Sequence, residues 1–133
     1  MITTANTTKA LTATLSTALG LGLLLAPAAA ASGSGVRSSG DCSAHAAWNL
    51  KAKHDDGRIE VEAQVDSNRA GQSWRWSIRD NGTLVRSGTA TTSAPSGSFS
   101  VHRLIGNRAG TDHVVFRATR PATGQTCRGS VTL

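Results

Sequence analysis

Ile59, Val61, Ala63 and Val65 alternate with Glu60, Glu62, Gln64 and Asp66, and this period of two constrains the chain more than any other feature. An extended backbone points successive side chains to opposite faces, so such a run is a strand with one face in a core and one in water. The period recurs from Cys42 onward. Cys42, Ala44, Ala46, Trp48, Leu50 and Ala52 oppose Ser43, His45, Ala47, Asn49, Lys51 and Lys53. Trp74, Trp76 and Ile78 oppose Arg75, Ser77 and Arg79. Val114, Phe116 and Ala118 oppose His113, Val115 and Arg117, while Cys127, Gly129, Val131 and Leu133 face inward on a last strand.

Turn chemistry separates these runs. His54-Asp55-Asp56-Gly57 reads as a hairpin turn, and Asn81-Gly82 is the strongest short hairpin signal in the chain. The strand after it, Thr83 to Ala90, has two readings. A two-residue turn pairs Ile78 with Val85 and leaves Leu84 outside; a longer loop reverses that. Phe99 and Val101 mark a strand from Gly97 to Ile105. The pattern predicts an all-β fold: an immunoglobulin-like antiparallel β-sandwich of about seven strands, with a small β-barrel as the alternative.

The N-terminal residues follow another logic. Lys9 supplies positive charge, Ala18 to Ala26 is a short apolar run, and Pro27 to Ala31 ends in small residues. That is the layout of a signal peptide over residues 1–31, too short and too rich in Gly and Ala to span a bilayer stably. No twin Arg precedes the apolar run, and Cys42 lies too far downstream to take a lipid. Residues 32–41 read as a Gly/Ser-rich tether, and residues 42–133 as the folded domain. The expected product is a secreted monomer with no membrane span after processing.

Cys42 and Cys127 are the two cysteines. In an exported chain they form a disulfide by default, tying the first predicted strand to the last. Removing residues 1–31 takes away only Lys9, leaving 13 Lys and Arg against 8 Asp and Glu, a formal charge of +5. A modest positive balance attracts acidic partners without choosing among them.

The stretch Asp55-Asp56-Gly57-Arg58-Ile59-Glu60-Val61-Glu62 and the run Val65 to Trp74 carry a resemblance. Ser96 to Val101 and Thr123 to Gly129 complete it. On these residues the chain resembles a set of exported single-domain proteins of actinobacteria. The resemblance implies export and a β-fold and brings no functional residues with it.

The sequence offers no catalytic, metal-binding or cofactor motif. His54-Asp55-Asp56 and Asp112-His113 read as polar turns rather than ligand sets. His45, His54, His102 and His113 fall on outward faces or in turns, outside any triad context. Glu60 and Glu62 are i and i+2 on one strand face, a solvated stripe more simply than a glycosidase pair. Trp74 and Trp76 could make a sugar platform, but with no Tyr and two Phe the core needs them. The remaining surface is basic. If the third, sixth and seventh strands share a sheet, Arg75, Arg79, Arg117 and Arg128 point outward together, with no acid among them. The expected function is a non-catalytic binding module, with an anionic cell-envelope polymer as its partner and no specific nucleic acid. A protease inhibitor presenting Ser67 to Gln72 or Gly106 to Thr111, and an unrecognised hydrolase, are the alternatives.

Overall fold

The computed structural model describes residues 35–133. The expected signal peptide, residues 1–31, lies outside the described residues. Eight strands run in sequence: β1 (Val36–Asp41), β2 (Ala47–Asp55), β3 (Arg58–Asp66), β4 (Ser73–Asp80), β5 (Thr83–Thr91), β6 (Ser98–Gly106), β7 (His113–Arg120) and β8 (Gln125–Thr132). They make two four-stranded sheets, sheet A in the order β1-β2-β3-β6 and sheet B in the order β5-β4-β7-β8. Among the described residues every strand pairing is antiparallel, and no ladder closes the sheets into one another, which sets the barrel alternative aside. Among the described residues no helix is long and apolar enough to cross a membrane.

Two expectations are corrected at the start of the domain. The Gly/Ser-rich residues read as a tether include β1, which brings the about seven strands expected to eight among the described residues. Val36 to Asp41 pair with Ala52 to Ala47 through backbone hydrogen bonds, which need no apolar side chains. The run from Cys42 to Ala46, read as the start of a strand, is a connection in which Ala44 takes a φ of 53°. Cys42 N–H closes it on Ala46 O at 2.8 Å.

The inward faces of both sheets form one core. Leu50, Ile59, Val61, Val65, Trp74, Ile78, Ile105, Val114 and Phe116 are fully buried within it. Trp74 meets Phe99 across the sheets with ring centroids 6.1 Å apart. The other two Trp close the flanks, each opposite a glycine on an edge strand. Trp48 pairs with Gly40, where a Cβ would sit 3.0 Å from the indole, and its ring crosses to cover Gly129 of the other sheet. Trp76 pairs with Gly88, where a Cβ would come within 2.7 Å of the indole. A missing side chain on the edge strand makes room for the ring of its neighbour. Arg103 then covers Trp76 from sheet A at 5.1 Å, a cation–π contact. Trp48 packs against the core as its inward position requires, though less completely buried than Trp74 and Trp76.

The two hairpins read from the sequence turn on two residues with positive φ, Asp56-Gly57 and Asn81-Gly82, the turn that matches strand twist. Arg79 pairs with Leu84, so Leu84 lies outside as the short-turn reading requires. Ile78 pairs with Arg86 rather than Val85, because a bulge inserts Val85 into β5. The disulfide Cys42–Cys127 joins the β1–β2 connection to β8, with α-carbons 4.3 Å apart. Ser43 N–H donates to Thr126 O at 2.9 Å, and Thr126 N–H returns a bond to Ser43 Oγ. These bonds draw the connection closer to β8 than the usual disulfide span of about 5.5 Å.

Candidate functional site

Sheet B holds β4, β7 and β8 side by side, and their outward positions carry the four arginines singled out in the sequence. Arg75, Arg79, Arg117 and Arg128 are all exposed. Register makes the arrangement specific: Ser77 pairs with Arg117, and Arg117 with Arg128. Arg75 and Arg79 flank Ser77 on the same face of β4. The rest of that face is Ser73, Val115, Thr119, Thr126, Ser130, Thr132 and His113, with no carboxylate. Among the described residues none of the four guanidiniums forms an ion pair, and Arg79 Nη1 donates to Gly82 O at 3.1 Å.

Charge is divided between the sheets. The strands of sheet A carry Arg37, Lys51, Lys53, Arg58 and Arg103 against Asp41, Asp55, Glu60, Glu62 and Asp66, five of each sign. Those of sheet B carry six arginines against one acid, the buried Asp80. On sheet A the charges pair off: Lys53 with Glu60 at 3.5 Å and Lys51 with Glu62 at 3.7 Å. His102 Nε2 also reaches Glu60 at 3.3 Å and Glu62 at 4.0 Å. Glu60, Glu62 and His102 are close enough together to ligate an ion, but both carboxylates already have ammonium partners. Burial pushes the Glu60 carboxyl up; the His102 hydrogen bond and the Lys53 charge outweigh it and leave it below its ordinary value.

All four His are exposed, in agreement with their outward or turn placement. The indoles Trp74 and Trp76 are buried, so neither offers a sugar a stacking face. Asp112, read as part of a polar turn, does bond the turn backbone, its Oδ1 accepting from Arg108 N–H at 3.4 Å, but it is also fully buried just before β7, beside the equally buried Asp80 at the end of β4. Alternation places Asp80 on the inward face with Ile78, a position the sequence analysis did not weigh. Asn81 braces the neighbourhood, its side chain accepting from His113 N–H at 2.9 Å and donating to Thr111 O at 3.1 Å.

Asp80 oxygens have no hydrogen-bond donor, and Arg108 Nε stands 3.6 Å from Oδ2. Burial raises the Asp80 carboxyl above its ordinary value, and the Asp112 charge raises it further against the pull of Arg108. A folded pKa above the unfolded one contributes stability at low pH that is lost as pH rises through the folded value. Asp80→Asn is therefore expected to raise the melting temperature at pH 7.5 and to flatten its rise as the pH is lowered from there to the ordinary value of 3.8. Melting curves across that range check it; an unchanged slope would show that Asp80 ionises as it does in the unfolded chain.

Comparison of the chain with protein-family models, with curated proteins and with solved structures finds no match in any of the three.

Proposed function

We propose that this protein is an exported, non-catalytic module of immunoglobulin-like kind that holds an anionic cell-envelope polymer against the outward face of sheet B. The observation that carries the reading is the direct pairing of Arg117 with Arg128. Like charges opposite each other across strands cost stability, and here no carboxylate on that face offsets the cost. A phosphate or carboxylate polymer laid across β4, β7 and β8 relieves that repulsion while gaining bidentate hydrogen bonds. The Ser and Thr between the arginines add hydroxyls that suit a polar, hydrated chain. The β2-β3-β6 sheet facing β5-β4-β7-β8 supports the immunoglobulin-like reading, and the disulfide and the exported proteins that the sequence resembles support a life outside the cell.

Arg75→Glu with Arg79→Glu tests this. Both side chains are exposed, so the fold and melting temperature should stay as they are. Retention on anionic envelope material at physiological salt, where the Debye length is about 8 Å, should fall at least tenfold, roughly, because four units of charge reverse on one face. The unsubstituted protein should lose retention progressively as salt rises. Unchanged retention in the double variant overturns the reading.

A further inference from the structure

β3 and β6 are neighbours in sheet A, and their register brings Glu60, Glu62 and His102 to one patch of its outward face. His102 pairs directly with Glu62 and sits diagonal to Glu60, which lies two residues back on the same side of β3. The ring leans between the two carboxylates. Its Nε2 is 3.3 Å from Glu60 Oε1 and 4.0 Å from Glu62 Oε1, and one ligand atom from each residue fits within 4.8 Å of the others. Solvent reaches all three, with the side chains of Glu60, Glu62 and His102 14 %, 46 % and 59 % exposed.

A tetrahedral zinc holds nitrogen and oxygen ligands at about 2.1 Å, which sets them about 3.4 Å apart. The His102–Glu60 separation already matches that edge, and the exposed Glu62 side chain closes the rest by rotating. Positions i and i+2 of one strand with a third across the ladder supply three ligands from rigid elements, without a loop. An imidazole among the donors favours zinc and its transition-metal neighbours, whereas calcium and magnesium take larger, all-oxygen sets.

The ammonium partners hold these carboxylates loosely. Lys53 Nζ stands 3.5 Å from Glu60 Oε1 and Lys51 Nζ 3.7 Å from Glu62 Oε2, both longer than a charged hydrogen bond of about 2.8 Å. Lys51 meets the oxygen that His102 does not face, so it can stay and brace the carboxylate while Oε1 takes a metal. Lys53 shares Glu60 Oε1 with His102 and must yield. Alongside opens a groove of about 400 Å3 that Glu62 and His102 line together with Arg37, Asn49, Gln64 and Ser100. The geometry points to a zinc site whose ligands are Glu60 Oε1, Glu62 Oε1 and His102 Nε2, with the groove leaving the fourth position to water. It lies on the sheet opposite the four face arginines, so it stands or falls independently of the polymer reading.

Zinc alone is the probe, titrated into the 15N-labelled full chain without a histidine tag. Saturable shifts are expected at the amides of 60–62 and 101–103, with a higher melting temperature at saturation. His102→Ala, Glu60→Gln and Glu62→Gln should each weaken zinc at least roughly tenfold, since even the outer partners of a ligand are worth about 10–100-fold. All three positions face outward, so the metal-free variants should melt near the original. Lys53→Gln should tighten zinc severalfold by removing the competitor for Glu60. Calcium at the same concentration should leave the spectrum unchanged. No saturation by about 1 mM zinc, equal shifts with calcium, or weaker binding in Lys53→Gln overturns the inference. So do shifts centred on His45, His54 or His113, or full affinity in His102→Ala.

Discussion

Replacing Cys42 and Cys127 together by serine is expected to lower stability by about 4 kcal/mol. The bridge spans a sequence separation of 85 residues, nearly the whole described fold. Without it the unfolded chain regains the freedom of a long open loop, while the native strands lose no ladder pairing. A two-state domain of this size loses roughly 4–8 °C of melting temperature per kcal/mol, so the expected fall is roughly 15–30 °C. Thermal melts of the double serine variant, or of native protein under reductant, measure it. A fall below about 5 °C would mean that strand pairing already restrains the ends of the unfolded chain, leaving the bridge little to add.

Trp74→Ala should cost about 3–5 kcal/mol, since it leaves a ring-sized void between the sheets that rigid neighbours cannot fill. Trp74 is 0 % exposed and lies against Phe99. Its Nε1 is buried without an acceptor, which adds a sharper contrast. Trp74→Phe removes that orphan N–H along with part of the ring, so it should lose well under half as much as the alanine variant. Urea unfolding of the two variants compares them directly. Equal losses would show that the indole N–H is satisfied in the folded protein.

Much of the fold was legible because alternation is a local signal that burial enforces. Ile59 to Val65 and Trp74 to Ile78 lie as their period demands, and both hairpins follow from Asp56-Gly57 and Asn81-Gly82. β1 was not legible, because an edge strand held by backbone bonds needs no apolar period and Gly40 must stay bare for Trp48. Cys42 to Ala46 misled for the opposite reason: small residues alternated with polar ones by composition, without a ladder to obey. The four face arginines could be placed because each sits beside core residues on its strand. Asp112 could not, since a short Asp next to His looks the same in a solvated turn and over a buried partner. The pole where the connections 42–46, 67–72, 92–97 and 121–124 gather was equally out of reach. Ser67, Gln72 and Thr92 are ordinary loop residues until the topology brings their connections together.

The same topology gives the domain a direction. Val36 enters beside Ala52, and Leu133 leaves beside Asp112, so the described chain begins and ends at the pole of the tight hairpins. The connections 42–46, 67–72, 92–97 and 121–124 lie at the other pole, a strand length of about 20–30 Å away. A carrier, a label or a solid support joined ahead of Val36 or behind Leu133 would therefore sit behind the sandwich and leave both those connections and the arginine face open to the surrounding medium. Grafting onto 67–72 or 121–124 would cover that pole instead.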